Sequence, residues 1–278
     1  MNFLQTININ GELIDLSVPK IMGIINVTPD SFYSGSRQQS IDEILKKADQ
    51  MINEGAAFLD IGGYSSRPGA DHISPEEELK RVIQPIEAIN REFPEIIISI
   101  DTFRASVAKE ALDRGAQMIN DISGGDLDPK MFELVQSFQV PYILMHMRGT
   151  PQNMKERTEY ADVVKEIIAS ISAKLNKLTK IGVNDILVDP GFGFAKTVDQ
   201  NFEILSKLEA LKILGRPLLV GLSRKSMIYK TLNVSPEETL NGTTVVNTLA
   251  LLKGASILRV HDVKEASEAI ELVKHFSH

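Results

Sequence analysis

Residues 96–121, IIISIDTFRASVAKEALDRGAQMIND, hold one full repeat of the pattern that governs the chain. An apolar run, Ile96–Asp101, closes on a carboxylate, and a helical stretch follows. Gly115-Ala116 breaks that stretch, and a second run, Met118–Asp121, closes on Asn120 and Asp121. Both runs are short enough for strands and too short for free-standing helices. A glycine just past a helix supplies the left-handed residue that ends it.

The same unit recurs on either side. Further runs lie at Ile21–Asn26, Phe58–Gly63, Tyr142–His146, Ile186–Asp189, Leu218–Ser223 and Ile257–His261, and further glycine joints at Gly55, Gly182, Gly215 and Gly254. Strands alternating with helices favour parallel pairing through right-handed crossovers. Eight such units in 278 residues predict a (β/α)8 TIM barrel, a fold that needs roughly 250 residues. No linker composition interrupts the alternation, so residues 1–278 read as one domain. Residues 1–18 read as a short β-hairpin capping the barrel bottom: Phe3–Ile9 and Glu12–Leu16 turn around Asn10-Gly11. Ser40, Ser74 and Ser235 each precede a glutamate by three residues and predict helix starts.

Composition narrows the class. Hydrophobic residues make up 43% and charged residues 24%, the balance of a globular chain with a large core. A net charge of -7 with no basic stripe argues against a nucleic-acid surface. With no cysteine there is no disulfide and no thiolate nucleophile, which points to a cytoplasmic home. No apolar stretch approaches the roughly 18 residues that cross a bilayer, so no membrane partner is expected.

The longest irregular segments, Val27–Gln39, Gly62–Ile73, Met147–Thr158 and Pro190–Val198, all follow strands. In a parallel barrel they gather at the C-terminal face, where such enzymes work. Asp101, Asn120 and Asp189 stand at three strand ends; two carboxylates and an amide can read the edge of a flat heterocycle. Asp60 and Asp121 sit deeper or beside a loop and are assigned to structural hydrogen bonds. Ser223-Arg224-Lys225-Ser226 and Arg259-Val260-His261 end the last two strands, where barrels hold phosphate. Arg259 and His261, two apart on a strand, face one way and are expected to clamp one anion. Arg224 also has a plainer reading as a surface ion pair. Asn26 offers an amide oxygen to Mg²⁺. His146 reads as a packed barrel histidine, since no paired metal-ligand spacing surrounds it. Phe194, in Gly191-Phe192-Gly193-Phe194, and the arginine of Gly62–Gly69 suit a second, smaller aromatic substrate.

Taken in order, these segments resemble the dihydropteroate synthase family. The matching stretches are Met22–Phe32, Asp60–Gly63, Ser65–Gly69, Ser99–Thr102, Ile119–Gly125, Met145–Pro151, Asp189–Phe194, Ser223–Ser226 and Arg259–Asp262, covering nearly the whole chain. The resemblance implies condensation of 6-hydroxymethyl-7,8-dihydropterin diphosphate with p-aminobenzoate, giving 7,8-dihydropteroate and pyrophosphate. It implies that Asp101, Asn120, Asp189 and Lys225 hold the pterin, with Met145 on its ring. It assigns Ser66, Arg259 and His261 to the diphosphate, Asn26 to Mg²⁺, and Phe194, Ser226 and Arg67 to p-aminobenzoate. Asp101, Lys225 and Asn26 would be the catalytic set. A homodimer through the outer helices is also implied.

Two departures stand out. Ser34 replaces an acidic residue common in the family's first loop, and Tyr64 and Ser66 stand where Glu and Thr are common. Sequence gives no account of Tyr64. The rival readings are a methyltetrahydrofolate-binding methyltransferase, which would not need the cationic cluster after the last two strands, and a pterin-binding paralogue that does not release pyrophosphate.

Overall fold

The computed structural model describes residues 5–27, 37–65 and 72–276, with side chains from residue 41 onward in the second stretch. Strands β1 (Thr6–Ile9) and β2 (Glu12–Asp15) form the hairpin, pairing antiparallel with Ile7 opposite Ile14. The barrel strands are β3 (Lys20–Asn26), β4 (Phe58–Gly62), β5 (Ile97–Asp101), β6 (Met118–Asp121), β7 (Tyr142–Met145), β8 (Ile186–Asp189), β9 (Leu219–Val220) and β10 (Ile257–Val260). They pair in the order β8-β7-β6-β5-β4-β3-β10-β9, every neighbour parallel. A parallel bridge between Val188 and Leu218 joins the two ends of the sheet into a ring.

Helices alternate with the strands: α1 (Arg37–Asn53), α2 (Pro75–Glu92), α3 (Ala105–Asp113), α4 (Met131–Phe138), α5 (Val163–Lys180), α6 (Val198–Ser206), α7 (Ser226–Leu232), α8 (Leu240–Leu252) and α9 (Val263–Phe276). Ser74 caps α2 by accepting from the Glu77 N–H at 3.2 Å, with Pro75 at the first helical position. Two expected starts differ. Helix α1 begins at Arg37, three residues before Ser40. Ser235 and Glu238 do form a reciprocal capping box, but it opens a 3-10 turn, Pro236–Thr239, that runs into α8. The five glycine joints all carry positive φ, from 64° at Gly215 to 112° at Gly115. A side chain there would strain the turn from helix into strand.

Strand periodicity sorts the core. Successive side chains alternate between the barrel interior and the helix layer. One set, including Ile25, Leu59, Ile100, Ile119, Val188 and Val260, is buried against the helices. The other begins with Met22, Phe58, Met118, Ile143, Leu187, Leu219 and Ile257, which pack with Ile7, Ile9 and Leu16 of the hairpin. This apolar layer closes the bottom of the barrel, as expected for the hairpin. Two residues further along the same strands stand Asp60, Asn120, Met145, Asp189 and Arg259. Alternation carries the interior from a dry floor to a polar mouth.

Candidate active site

Pairing register sets the mouth. Asp101 lies beside Asn120, Met145 beside Asp189, and Gly62 beside both Asn26 and Asp101. The Arg259 side chain reaches across the barrel, its Nε donating to Asp60 Oδ2 at 2.6 Å and its Nη2 to Asp101 Oδ2 at 2.7 Å. Asn120 Nδ2 donates to the same Asp60 oxygen at 2.9 Å. One buried carboxylate thereby fixes the amide of Asn120 and the fork of Arg259 together. Because its N–H₂ is committed to Asp60, the Asn120 carbonyl oxygen is left to meet a donor.

Two carboxylates sharing one guanidinium leave excess negative charge in a poorly solvated place. Burial pushes the Asp101 carboxyl up to about 7, with Arg259 opposing and Asp60 adding to the rise. For Arg259 burial works against the charge, but Asp60 and Asp101 more than offset it and hold the guanidinium protonated. Burial also raises Asp189, against the pull of Lys225. Lys225 is drawn down to about 8 by burial, with Asp189 opposing. Its Nζ donates to the Phe192 carbonyl at 2.5 Å and lies 5.0 Å from the centre of the Phe194 ring. Acidic, cationic and aromatic groups therefore line one mouth, suited to a flat heterocycle that carries N–H donors and acquires positive charge.

Other expected residues fall around this centre. Met145 is 3% exposed and packs with Tyr64, Phe103, Ile122 and Ala195, with Phe194 at the edge of that cluster. Ser226 opens α7 directly after Lys225. Asn26 ends β3, half-buried. Ser66 and Arg67, with Ser34, lie outside the described residues.

Both residues expected to clamp the anion are already partnered in the structure. His261 lies just beyond β10 and shares a hydrogen bond with Ser223 Oγ through Nδ1 at 3.0 Å, while Arg259 is engaged with Asp60 and Asp101. Sequence spacing put the two on one face but did not reveal that inward carboxylates compete for the arginine. Burial, then Arg259, draws the His261 imidazole down to about 3, so it is neutral. Arg224 is the plain ion pair, donating from Nε at 3.0 Å and Nη2 at 2.6 Å to Asp262. His146 is buried and hydrogen-bonded, as read. Asp121 is structural too, accepting from Ser123, Gly125 and the Tyr142 hydroxyl.

Two residues gain an account. Asp60 touches both Asn120 and Arg259, so it belongs with the site as well as with its support. The signal was its interior register, two residues past Phe58. Tyr64 is 8% exposed and stacks edge-on against Phe103 at 5.0 Å. Its hydroxyl accepts from Gln152 Nε2 at 2.6 Å and shares a hydrogen bond with His72 at 3.2 Å. It ties the strand-four rim to the segment before α5, a contact no local pattern discloses.

A parallel barrel with this mouth is the frame of an enzyme that handles a flat, nitrogen-rich ring. The pterin binding enzyme family matches residues 22–261, so the chain belongs to that family. Dihydropteroate synthase of Escherichia coli K12 is 44% identical over 266 residues, 95% of this chain and 94% of the relative. The crystal structure of Yersinia pestis dihydropteroate synthase with a sulfonamide drug superposes with a TM-score of 0.92 at 40% identity, covering 98% of this chain and 99% of that one. The Xanthomonas albilineans enzyme in complex with 7,8-dihydropteroate superposes at 0.88 with 34% identity, covering 98% of both chains. Within the family the chain stands with the dihydropteroate synthases, transferases of folate biosynthesis.

Proposed function

We propose that the barrel mouth joins 6-hydroxymethyl-7,8-dihydropterin diphosphate to p-aminobenzoate, forming 7,8-dihydropteroate and releasing pyrophosphate, with roles as follows. Asp101, Asn120, Asp189 and Lys225 hold the pterin, carboxylates accepting from ring and amino N–H groups and the Lys225 ammonium donating to a ring acceptor. Met145 packs on the ring. Arg259 and His261, with Ser66, hold the diphosphate. Phe194, Ser226 and Arg67 hold p-aminobenzoate. One barrel, acting as a single domain, supplies all of them. The observation that carries the reading is the bridge in which Arg259 joins Asp60 to Asp101, because it sets negative charge beside the place where the pterin methylene must become electron-poor.

The reaction is dissociative. The bond from methylene carbon to bridging oxygen breaks, and its electron pair leaves on pyrophosphate. The Asp101 carboxylate offsets positive charge growing on the pterin, an effect strengthened in a site sheltered from water. Arg259 stays protonated throughout and faces the departing anion. The aromatic amine then attacks the exposed carbon and loses its proton. No protein nucleophile is required.

Asn26 suits Mg²⁺: its amide oxygen is a hard donor at the open end of β3, and its side chain has no hydrogen-bond partner among the described residues. An ion there would be carried chiefly by the substrate's own diphosphate. Bound there, it would stabilise the leaving pyrophosphate as a Lewis acid.

A homodimer is supported by α8. Val245, Leu249 and Leu252 are 52%, 46% and 45% exposed along one stripe, close in sequence to exposed Leu240. Such a run on a helix marks an interaction surface. A cytoplasmic location is supported by the lack of cysteine.

Isotope exchange tests the dissociative step. With ¹⁸O in the bridging position and p-aminobenzoate withheld, reversible cleavage scrambles the label into non-bridging positions of recovered substrate. Unscrambled substrate, under conditions where turnover proceeds once the amine is added, would refute dissociation ahead of attack.

A further inference from the structure

The loop after β8 curls tightly. Gly191, Ala195 and Gly193 all carry positive φ, at 72°, 50° and 81°. This backbone turns the Gly191 and Phe194 carbonyls inward, and Lys196 fills the space they face. Its Nζ donates to Phe194 O at 2.8 Å, Gly191 O at 2.9 Å and His146 Nδ1 at 3.2 Å, with His146 O at 3.4 Å. The residue is 8% exposed. Three N–H groups of an ammonium match the three nearer acceptors. While Lys196 is protonated, His146 Nδ1 is the acceptor of this contact and the ring proton sits on Nε2.

The curl is also pressed on the neighbouring strand end. A Cβ on Gly191 would lie 2.0 Å from the His146 carbonyl oxygen, so backbone meets backbone there. Lys196 is the side chain that spans this seam from the loop to His146. Burying a lysine amine carries a desolvation cost. The outer side of the same curl touches residues of the site. Phe192 O accepts from Lys225, the Phe194 ring lies under that amine, and Gly191 N donates to Asp189 Oδ1 at 2.7 Å. Asp189 and Lys225 thus take their positions from a loop whose inner side closes on Lys196.

We propose that Lys196 is a positioning residue for the pterin site: its amine holds the curl of residues 190–195 against His146, and through Phe192 and Asp189 sets Lys225 and Asp189 for the pterin. This rests on the reading above that Lys225 contacts the pterin.

A double-mutant cycle on the full chain tests it, with calorimetric binding of 6-hydroxymethylpterin as the readout. Lys196→Met weakens binding about tenfold, while circular dichroism shows a folded barrel. In a Lys225→Met background the same change costs less, about threefold, because one of the two groups Lys196 acts through is already removed while Asp189 remains. Lys196→Gln, which keeps two donors, restores part of the affinity and replaces the methionine variant in the cycle should that one not fold. Equal losses in both backgrounds would show a general structural effect and overturn the proposal, as would unchanged affinity in Lys196→Met. Unchanged affinity in Lys225→Met alone would instead remove the pterin role of Lys225, and the positioning role with it.

Discussion

Replacing Asp60 with asparagine removes a negative charge from the centre of the barrel mouth and leaves its shape almost unchanged. Asp60 is fully buried, and its Oδ2 accepts from Arg259 and from Asn120. A hydrogen bond to a charged group contributes about 1.5–3 kcal/mol, and Arg259 keeps its second carboxylate in Asp101, so we take about 2 kcal/mol for the loosened pair. If that loosening is felt by bound pterin diphosphate, it corresponds to about thirtyfold in kcat/KM. The pH profile gives a second, sharper reading. Asp101 stands at about 7 because burial raises it, with Asp60 adding to the rise against Arg259. Without Asp60 the like charge disappears and Arg259 turns more fully to Asp101. Both changes favour the carboxylate, so the acid limb of kcat/KM moves down by about one pH unit. The assay is pyrophosphate release against pH at low pterin diphosphate, with wild type and Asp60→Asn in parallel. An acid limb that stays in place or moves up, in a folded variant, would refute the coupling of Asp60, Arg259 and Asp101.

Other outcomes follow from the same geometry. Asp101→Asn keeps the fold and lowers kcat by about a hundredfold or more, measured as product formed under saturating substrates; an unchanged rate would exclude Asp101 from the charged step. Lys225 stands at about 8, protonated below that value, so kcat/KM falls as pH rises through 8, and Lys225→Ala removes this basic limb. Burial draws Lys196 from 10.5 down to about 7. Between those values the unfolded chain holds a proton that the folded chain has lost, so stability to urea rises with pH across that window. Lys196→Met flattens that rise. For the proposed homodimer, light scattering at micromolar concentration is expected to give a dimer for the wild type and a monomer for Val245→Asp with Leu249→Asp on α8; an unaltered dimer would move the interface elsewhere, and a monomeric wild type would overturn the homodimer.

Much of this was legible in the chain because barrel strands carry period-two information. Met118 and Asn120, or Leu187 and Asp189, differ by one step along the interior, so an apolar floor and a polar mouth can be read from the order of residues within each strand. The glycine joints mark helix ends by a backbone requirement that few residues meet. What sequence could not show was which interior groups pair with one another. Arg259 and Asp60 are brought together because β10 and β4 both pair with β3, and spacing along β10 alone suggested a partner for His261 instead. Lys196 likewise reads as an ordinary charged residue before a helix, since its burial depends on how the loop curls back on β7. The capping pattern at Ser235 is genuine, yet local geometry makes it open a 3-10 turn, a choice the pattern does not encode.

The chain is a pterin-binding barrel of the dihydropteroate synthase kind, whose reaction transfers a dihydropterin from pyrophosphate to an aromatic amine. The measurement is pyrophosphate release from the dihydropterin diphosphate by purified protein with Mg²⁺, with and without p-aminobenzoate. Net release that depends on p-aminobenzoate and matches 7,8-dihydropteroate formed mole for mole is the expected result. Pterin binding without amine-dependent release would contradict it, leave a barrel that recognises the ring without transferring it, and make Ser34→Asp the next variant to examine.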